Sequence, residues 1–342
     1  MTTGYVYEPI YLEHTLSGHP ENRERLVAIM DLLQETGTLN RLEKVPASPI
    51  SQVRLELNHT ARYIEEVRRV AERGGGHLDP DTYVGPRSYE AALMAAGGLV
   101  NLTEAVLDGV VDNGFALVRP PGHHALAGRG MGFCLFNNVA IAAHCALAER
   151  GLERILIVDF DVHHGNGTQD SFHDSPEVLY LSTHQYPHYP GTGHWQDIGR
   201  GAGAGYTVNL PLSRGVGDAG YGRIFAEVLA PLARRYRPRL ILASAGYDAH
   251  WADPLAGMLL SITGYAALAR RLKALAEELC EGQIVFVLEG GYHQQVLRHA
   301  VLNTFKALLG DEDVVDPLGL SPQPEVSIND LLASVKRVHG LA

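Results

Sequence analysis

The sequence predicts an α/β domain in which helices cover both faces of a mostly parallel sheet. Short apolar, β-branched runs such as residues 155–158 are typical of strands buried on both sides. They alternate with amphipathic helical segments along the whole chain, which is the order of strand–helix–strand units. No break in composition and no internal repeat is evident. We therefore expect one domain over residues 1–342, with residues 310–342 as its acidic, proline-containing C-terminal extension.

The composition limits the partners and the compartment. Apolar residues make up 46% of the 342 residues and charged residues 20%, which is enough for one large core. The net charge of −11 argues against a nucleic-acid-binding face, which needs clustered lysine and arginine. Cys134, Cys145 and Cys280 show no CxxC spacing, which favours small core residues in a reducing compartment. We find no signal-peptide pattern and no run of about 18 apolar residues, so we expect a cytoplasmic protein without a membrane segment.

The first half of the chain contains a short strand and then mainly helices. Capping residues, apolar periodicity and glycine stops define these elements. They are a strand with its exit over residues 4–12; a helix that starts at Pro20, has Glu21 and Glu24 in its first turn and ends near Gly37; a helix from His59 to Arg73; a loop over residues 78–86; and an alanine-rich helix from Ser88 to Leu107.

The second half predicts most of the sheet. Each strand is a short apolar run, and most are followed by a helix. In order we expect a strand at 115–118, a glycine loop at 128–132, a helix at 138–150, a strand from 155, a strand at 178–182, a loop at 186–205, a helix at 221–236, a strand at 240–243, a helix at 262–280, a strand at 284–288, a helix at 293–309, a surface excursion at 310–327 and a short terminal helix.

The strand that begins at Ile155 ends in an unusual group of polar residues. Side chains alternate along a strand, so Asp159, Asp161 and His163 point to one side if the strand persists. Buried, unpaired charge is expensive, and a bound metal ion is the simplest compensation. The alternative is that these groups cap the strand and bond to nearby backbone, which is common for one aspartate but not for Asp-x-Asp-x-His-His.

Three other strands also end in polar residues. His123 and His124 follow the strand at 115–118, Asp248 follows that at 240–243, and Tyr292 follows that at 284–288. Open α/β sheets form their sites beyond the carboxyl ends of the strands, so these segments can meet in one pocket. Asp161, His163 and Asp248 would supply two oxygens and one nitrogen, the three-ligand form of a catalytic zinc site, although Fe(II) or Mn is also conceivable.

The remaining polar residues of this set have the chemistry of proton transfer. Two adjacent histidines near a metal are candidates for a general base and acid, with Asp159 and Asn166 as nearby orienting groups. The Tyr292 hydroxyl stays protonated at neutral pH and can donate to a developing oxyanion. A His-His pair or a tyrosine alone is usually structural, whereas the joint pattern is specific.

The motifs that contain these residues resemble the histone deacetylase family, and the match is closest to its class II and bacterial members. It extends from about Gly4 to Leu309 with the blocks in family order: Arg119-Pro-Pro-Gly-His-His-Ala125, Gly132-Phe-Cys-Leu-Phe-Asn-Asn138, Asp159-Phe-Asp-Val-His-His-Gly-Asn-Gly-Thr168, Ser244-Ala-Gly-Tyr-Asp248 and Glu289-Gly-Gly-Tyr292. The resemblance implies the arginase/deacetylase fold, with a central eight-stranded parallel sheet. It also implies zinc-dependent removal of acetyl or related acyl groups from lysine side chains, releasing acetate.

The resemblance assigns a role to each matched residue. It implies that Asp161, His163 and Asp248 bind Zn²⁺, that His124 is the principal general base and acid, and that His123, paired with Asp159, is its electrostatic neighbour. Asn166, which many relatives replace by Asp, would orient a less basic His124, and Tyr292 would bind the substrate carbonyl. Gly132, Phe133 and Tyr189 would line an acyl-lysine tunnel with Leu255 at its rim, and Arg23 would lie beside an internal cavity. It further implies structural K⁺ at a first site (Asp159, Asp161, His163, Ser182, Thr183) and at a second (Phe172, Ser175, Val178, Tyr206).

Two sequence features bear on the identity of the substrate. Polyamine deacetylases of this family tend to use an acidic rim residue, whereas Leu255 is neutral and favours an acylated lysine in a protein or peptide. Asp79 and Asp81 in an early loop keep a small acetylated amine, such as an acetylpolyamine, as the alternative. An arginase-like ureohydrolase would lack ligands for a second metal, and a non-catalytic acyl-lysine binder would be expected to lose Tyr292 or a ligand. A homo-oligomer is compatible with the sequence.

The other histidines are expected to be ordinary surface or loop residues. Some of them (His14, His19, His188 and His194) lie in loops that could border the pocket mouth. The expectation covers His14, His19, His59, His77, His173, His184, His188, His194 and His299.

Overall fold

A computed structural model describes residues 2–341 of the chain. Its centre is an eight-stranded sheet in the order β2-β1-β5-β10-β9-β6-β7-β8, in which all pairs are parallel. A two-stranded antiparallel hairpin lies beside it. The strands are β1 (Thr3–Val6), β2 (Glu43–Lys44), β3 (Gly76–Asp79), β4 (Thr82–Val84), β5 (Asn113–Ala116), β6 (Ile155–Asp159), β7 (Val178–Gln185), β8 (Thr207–Leu212), β9 (Leu240–Ala245) and β10 (Ile284–Leu288), with β3 and β4 forming the hairpin.

Helices flank the sheet and connect its parallel strands. Helix α10 packs against both α1 and α9, and α4 packs on α5 as a separate group. The α-helices are α1 (Glu24–Glu35), α2 (Gln52–Leu55), α3 (Ala61–Glu72), α4 (Ser88–Leu107), α5 (Asn138–Arg150), α6 (Asn166–Phe172), α7 (Asp218–Ile224), α8 (Ala230–Tyr236), α9 (Ile262–Leu279), α10 (Gln294–Leu309) and α11 (Asn329–Val338).

The central strands are buried because their sequences are apolar at successive positions. Every residue of β6, β9 and β10 is buried, as expected of parallel strands that are covered on both faces. The predicted eight-stranded parallel sheet is thereby confirmed. Most of the predicted helices and strands are also present, with several bounds displaced by a few residues.

Four short strands were not predicted. Strand β8 follows a glycine-rich loop and contains Pro211, which lacks a backbone donor, and it lies at the edge of the sheet where that is tolerated. At the other edge, β2 consists of the two exposed residues Glu43 and Lys44. The predicted loop over residues 78–86 is partly wrong, because β3 and β4 pair across it.

Two helix predictions need correction. Helix α1 begins at Glu24 rather than at Pro20, since Glu21 is a fully buried ion-pair residue in the preceding turn. The helix predicted at 221–236 begins at Asp218 and is interrupted by a π-helical turn over Phe225–Leu229. In addition, the strand predicted at 115–118 is displaced by two residues to Asn113–Ala116.

Helix α4 and the C-terminal segment belong to the layers outside the sheet. Helix α4 is long and apolar enough to cross a membrane, but 61% of its most apolar window is buried inside the protein, as in a core helix. After a coil that follows α10, α11 places Leu332 and Val335 in the core beside β8. The C-terminal segment therefore packs on the same sheet as the rest of the chain.

Candidate active site

The polar residues singled out in the sequence lie at the carboxyl ends of four adjacent strands. In the sheet these strands stand in the order β5, β10, β9 and β6. His123 and His124 follow β5, Tyr292 follows β10, and Asp248 follows β9. Asp161 and His163 follow β6. Because parallel strands end at the same edge, residues separated by more than a hundred positions meet there.

Asp161, His163 and Asp248 form a compact group of metal-ligand type. One potential ligand atom from each residue lies within 4.8 Å of the others, and the group is buried. The Nδ1 atom of His163 is 3.0 Å from Oδ1 of Asp161 and 3.3 Å from Oδ2 of Asp248. Oδ2 of Asp248 is buried and has no hydrogen-bond partner among residues 2–341, so it keeps a lone pair for a cation. Two carboxylates and one imidazole with a free lone pair fit a zinc ion.

Backbone N–H groups from neighbouring strand ends fix the two carboxylate ligands. The Val162 N–H donates to Oδ1 of Asp248 at 2.9 Å, and the Gly290 N–H donates to Oδ2 of Asp161 at 2.8 Å. A Cβ at Gly290 would lie 2.1 Å from the Asp248 carboxylate, so only glycine permits this approach of β10 to the ligands. The ligand positions thus depend on three neighbouring strand ends.

The charges around Asp161, His163 and Asp248 favour a bound cation. Burial lowers the pKa of His163, but its contacts with Asp161 and Asp248 outweigh burial and raise that pKa to about 10. Burial and the neighbouring Asp161 raise the pKa of Asp248. A site that raises the pKa values of both an imidazole and a carboxylate favours a bound cation, either a proton or a metal ion.

The two adjacent histidines have different partners. Nδ1 of His123 is 3.1 Å from Oδ2 of Asp159, and the pKa of His123 rises to about 10 because Asp159 and Asp161 outweigh the effect of burial. Nδ1 of His124 is 2.8 Å from the amide oxygen of Asn166, so Nδ1 donates and Nε2 is left unprotonated. Burial, with the positive neighbours His123 and His163, holds the pKa of His124 well below 6.5. His124 is therefore the neutral histidine of the pair.

A tunnel of about 190 Å³ leads to these groups. Burial raises the pKa of Tyr292 well above 10, so its hydroxyl remains a proton donor. All four residues expected to line the tunnel are present, and Asp81 of the early loop is among the others. The lining consists of Asp81, Pro121, His123, His124, Gly132, Phe133, His163, His188, Tyr189, Leu255, Gly290 and Tyr292.

The aromatic walls are held by local backbone geometry. Gly132 and Phe133 both have positive φ, at 55° and 70°. A Cβ at Gly132 would lie 2.3 Å from Cδ2 of His124, so the glycine lets the chain pass directly over the histidine. The Phe133 N–H donates to the Thr82 hydroxyl at 3.1 Å, which ties this wall to β4. The ring of Tyr189 meets the ring of His124 edge-on at 5.1 Å.

Glu289 is a buried residue beside the tunnel that was not predicted as a site residue. Glu289 accepts the N–H groups of Gly122 and His123 and the Ser244 hydroxyl, and burial raises its pKa to about 7. Its place beside Gly290 in a predicted motif was the available signal. His188, considered only for the pocket mouth, stacks on the metal-ligand candidate His163 at 5.1 Å within the tunnel.

The expected position of Arg23 is wrong. Its side chain is 47% exposed and pairs with Glu24, its neighbour in sequence. Arg25 occupies the interior instead, where it donates to the backbone oxygens of Glu289 and Gly291 and its guanidinium lies 5.1 Å from the centre of the Tyr292 ring. The expectation for Arg23 rested on the family resemblance alone, and Arg25, two residues further along the chain, occupies the buried position.

The expectation of surface or loop positions is wrong for His184 in β7 and His299 in α10, which are both buried. His14 and His59 lie in loops as expected, but both residues are buried. Each has a hydrogen-bond partner that makes burial tolerable, as in the 2.6 Å contact of His14 with the Ser88 hydroxyl. Single histidines carry no periodic signal that distinguishes these two environments.

The residues predicted to bind K⁺ are neighbours in the fold. For the first site, Asp159 and Ser182 are paired across β6 and β7, and the Thr183 hydroxyl donates to the Asp159 backbone oxygen at 3.5 Å. For the second, the Ser175 N–H donates to the Phe172 oxygen at 3.0 Å, and the Tyr206 oxygen accepts from Tyr180, two residues beyond Val178 in β7. Occupation by K⁺ stays a prediction.

A larger cavity of about 520 Å³ lies near the amino ends of β6, β7 and β8. Of the predicted site residues it contains only Tyr206, and neither a metal-ligand candidate nor either tunnel histidine lines it. Cavity size alone would therefore select the wrong end of the sheet, and the side-chain chemistry identifies the smaller tunnel.

Comparisons with known proteins agree with this geometry. The family model of the histone deacetylase domain matches residues 19–308. The chain is 40% identical to a probable deacetylase of Archaeoglobus fulgidus, over 99% of this chain and 98% of that protein. It is 42% identical to the human protein named polyamine deacetylase HDAC10, over 85% of this chain and 45% of that longer protein.

A solved structure matches along nearly the whole chain. The crystal structure of the HDA15 HD domain superposes with a TM-score of 0.92 at 36% identity, covering 99% of this chain and 96% of that one. The predicted arginase/deacetylase fold is thereby confirmed. Together with the family match over residues 19–308, this similarity shows that the chain belongs to the histone deacetylase family of hydrolases.

Proposed function

We propose that this protein is a zinc-dependent amidohydrolase that removes acetyl or related acyl groups from lysine side chains and releases acetate. The observation that carries the proposal is the buried group of Asp161, His163 and Asp248 at the end of a narrow tunnel, beside the neutral His124. The neutral rim residue Leu255 supports an acyl-lysine substrate, since the rim offers no carboxylate at that position for a second ammonium group.

The protein's own residues would divide the work of hydrolysis. A zinc ion held by Asp161, His163 and Asp248 would polarise the amide carbonyl and lower the pKa of water from 15.7 towards roughly 7. Nε2 of His124 would take the proton from the attacking water and later deliver it to the leaving amine nitrogen. The Tyr292 hydroxyl would donate to the carbonyl oxygen as negative charge develops there. Protonated His123, held by Asp159, would add positive charge beside the reacting group.

Metal removal tests the proposal directly. The protein should bind one zinc ion per chain by elemental analysis, and a chelator should abolish acetate release from an acetyl-lysine peptide. Restoring Zn²⁺, or Fe²⁺ as the alternative metal, should restore turnover. The Asp248→Asn variant should lose both the metal and the activity, because the unpartnered Oδ2 is its proposed ligand atom. Full activity of the metal-free protein would refute the proposal, and peptide binding without acetate release would indicate a non-catalytic acyl-lysine binder.

The phenol of Tyr292 should contribute to catalysis more than to binding. Tyr292→Phe removes the hydroxyl and should lower kcat by a factor on the order of 10²–10³, as expected for the loss of one oxyanion donor. KM and the zinc content should change little. Turnover at the wild-type rate would contradict the role of this tyrosine.

An acetylated polyamine is the second candidate substrate. Asp81 lines the tunnel, where its carboxylate can attract an ammonium group, and burial raises its pKa. The values of kcat/KM for an acetyl-lysine peptide and for acetylputrescine decide between the two. An Asp81→Asn variant should lose activity mainly towards acetylputrescine if the polyamine is the substrate.

We also propose three properties that do not concern catalysis. Structural K⁺, a cytoplasmic location and a homo-oligomeric state follow from the family resemblance and the composition. Ion analysis, localisation of a tagged protein and light scattering test them independently of the catalytic proposal.

A further inference from the structure

Asp253 is a buried carboxylate that belongs to neither the metal group nor the tunnel lining. It is 5% exposed, and all three of its side-chain hydrogen bonds are to backbone N–H groups. Oδ1 accepts from Leu255 at 3.0 Å, and Oδ2 accepts from Tyr292 at 2.8 Å and from His293 at 3.2 Å. One side chain thus joins the loop after β9 to the loop after β10.

This placement of Asp253 is unfavourable by itself. Burial and the negative charge of Asp248 raise the pKa of Asp253 to about 7, and no lysine or arginine pairs with it among residues 2–341. The compensation comes from the three N–H groups and from the start of α10, a 16-residue helix whose N-terminal end favours negative charge. The three N–H groups therefore fix where this carboxylate lies between the two loops.

The contacts of Asp253 continue around the tunnel mouth. The backbone oxygen of Leu255, the rim residue, accepts a hydrogen bond from Nε2 of His188 at 3.0 Å. His188, Leu255 and Tyr292 all line the tunnel, and they belong to three separate loops. Together with Asp253 they form a hydrogen-bonded belt in which the carboxylate is the branching point.

We propose that Asp253 is a positioning residue that holds the backbone of Tyr292 in place against the tunnel rim and thereby aims the phenol at the substrate carbonyl. It acts through Tyr292 and does not itself touch the substrate. This inference rests on the proposed hydrolase function, and it adds that the rim position and the oxyanion donor are mechanically coupled. A substrate that contacts Leu255 would therefore affect the placement of the catalytic phenol.

The Asp253→Asn variant tests this role with minimal change of shape. An amide has one acceptor oxygen, so its NH₂ group must face either the Leu255 N–H or the pair of N–H groups at Tyr292 and His293. At least one contact of the belt is lost in either orientation. We expect kcat to fall by a factor on the order of 10², the effect of misplacing a reacting group by about 1 Å. KM should change much less.

A double-mutant cycle with Tyr292→Phe separates this role from a general structural one. If Asp253 acts through the phenol, removing it costs little once the phenol is gone. The double variant should then have a kcat within about twofold of that of Tyr292→Phe alone. Losses that multiply in the double variant would overturn the inference, as would a loss of zinc from Asp253→Asn, since that would place the effect on the metal.

Asp316 offers a matched control. Its carboxylate also accepts three backbone N–H groups, those of Thr263, Leu318 and Gly319, near the start of α9 and outside the tunnel lining. Asp316→Asn should lower the thermal unfolding temperature while leaving kcat unchanged. If Asp253→Asn does not fold, Asp253→Glu, which keeps the charge but displaces the carboxylate, enters the same cycle with the same expected outcome.

The outcomes distinguish this inference from the proposed function. A wild-type protein that releases no acetate from any acyl-lysine or acetylpolyamine refutes the function itself. If the wild type is active but the losses in kcat multiply in the double variant, only the positioning role is refuted. The same holds if Asp253→Asn has the kcat of the wild type.

Discussion

At the residue scale, the two tunnel histidines differ in charge although they are adjacent in sequence. The carboxylate of Asp159 stabilises the protonated form of His123, whereas the neutral amide of Asn166 gives His124 no such support. The positive charge of His123 in turn disfavours a second proton on His124. The pair thus contains one fixed cation and one base that is available at neutral pH.

Replacing Asn166 by Asp should make His124 more basic. The new carboxylate would stabilise the imidazolium and raise the pKa of His124 by roughly 1 unit or more. His124 must be neutral to accept a proton, so the acidic limb of kcat/KM against pH should move to higher pH in Asn166→Asp than in the wild type. Asn101→Asp on α4, outside the tunnel, is the control and should leave the limb in place. An unchanged limb in Asn166→Asp would argue against His124 as the base.

The sequence predicts site residues well where strand alternation and motif spacing constrain them. Asp161, His163 and Asp248 meet as expected because each directly follows a recognisable apolar strand. Arg25 and Asp253 were missed for a physical reason. Their roles depend on helical phase and on contacts across loops, and neither leaves a periodic pattern in one sequence.

At the element scale, a buried ionic group anchors the segment before α1. Both carboxylate oxygens of Glu21 bind the Arg119 guanidinium, and Nη1 of Arg25 donates to Glu21 at 3.0 Å. Arg25 in turn contacts the Tyr292 loop. The segment before α1 and the loop after β5 are therefore joined beneath the active site by charges rather than by apolar packing.

Glu21→Gln should destabilise the fold strongly. It would leave two buried guanidinium groups short of negative charge, at a cost of about 3–5 kcal/mol in the free energy of unfolding. Burial raises the pKa of Glu21, but Arg119, His14 and Arg25 together hold that pKa well below 4.5. The stabilisation is therefore complete above pH 4.5 and is lost as the pH falls towards the folded-state pKa.

Urea unfolding of the metal-free wild type and of Glu21→Gln at several pH values would measure the difference in their free energies of unfolding. Glu65→Gln is the control, because Glu65 forms exposed pairs with Arg68 and Arg69 and its loss should cost far less. Equal destabilisation by the two variants would contradict the importance of the buried group.

The predictability of the strands followed the continuity of their apolar runs. Central strands such as β6 and β10 are continuous apolar runs, and the sequence located them correctly. The edge strand β8 and the two-residue β2 were missed, because an edge strand needs neither continuous apolar residues nor a full set of backbone donors.

At the scale of the whole molecule, the net charge of −11 should influence which substrates bind fast. An acidic protein attracts a lysine-rich peptide electrostatically, and salt screens this attraction beyond about 10 Å at 0.1 M ionic strength. We expect KM for an acetylated peptide with basic flanks to rise with ionic strength. The same peptide with neutral flanks is the control, and an equal salt response of the two peptides would contradict electrostatic attraction.

The order of strands in the sheet also has a consequence for biosynthesis. Strand β10 is the last strand in the sequence, yet it lies between β5 and β9 near the middle of the sheet. A nascent chain that has not yet emerged from the ribosome beyond Ile284 leaves β5 and β9 without their shared neighbour, and both expose unpaired backbone edges. The central sheet therefore cannot close until the last sixth of the polypeptide, from Ile284 onward, has been synthesised.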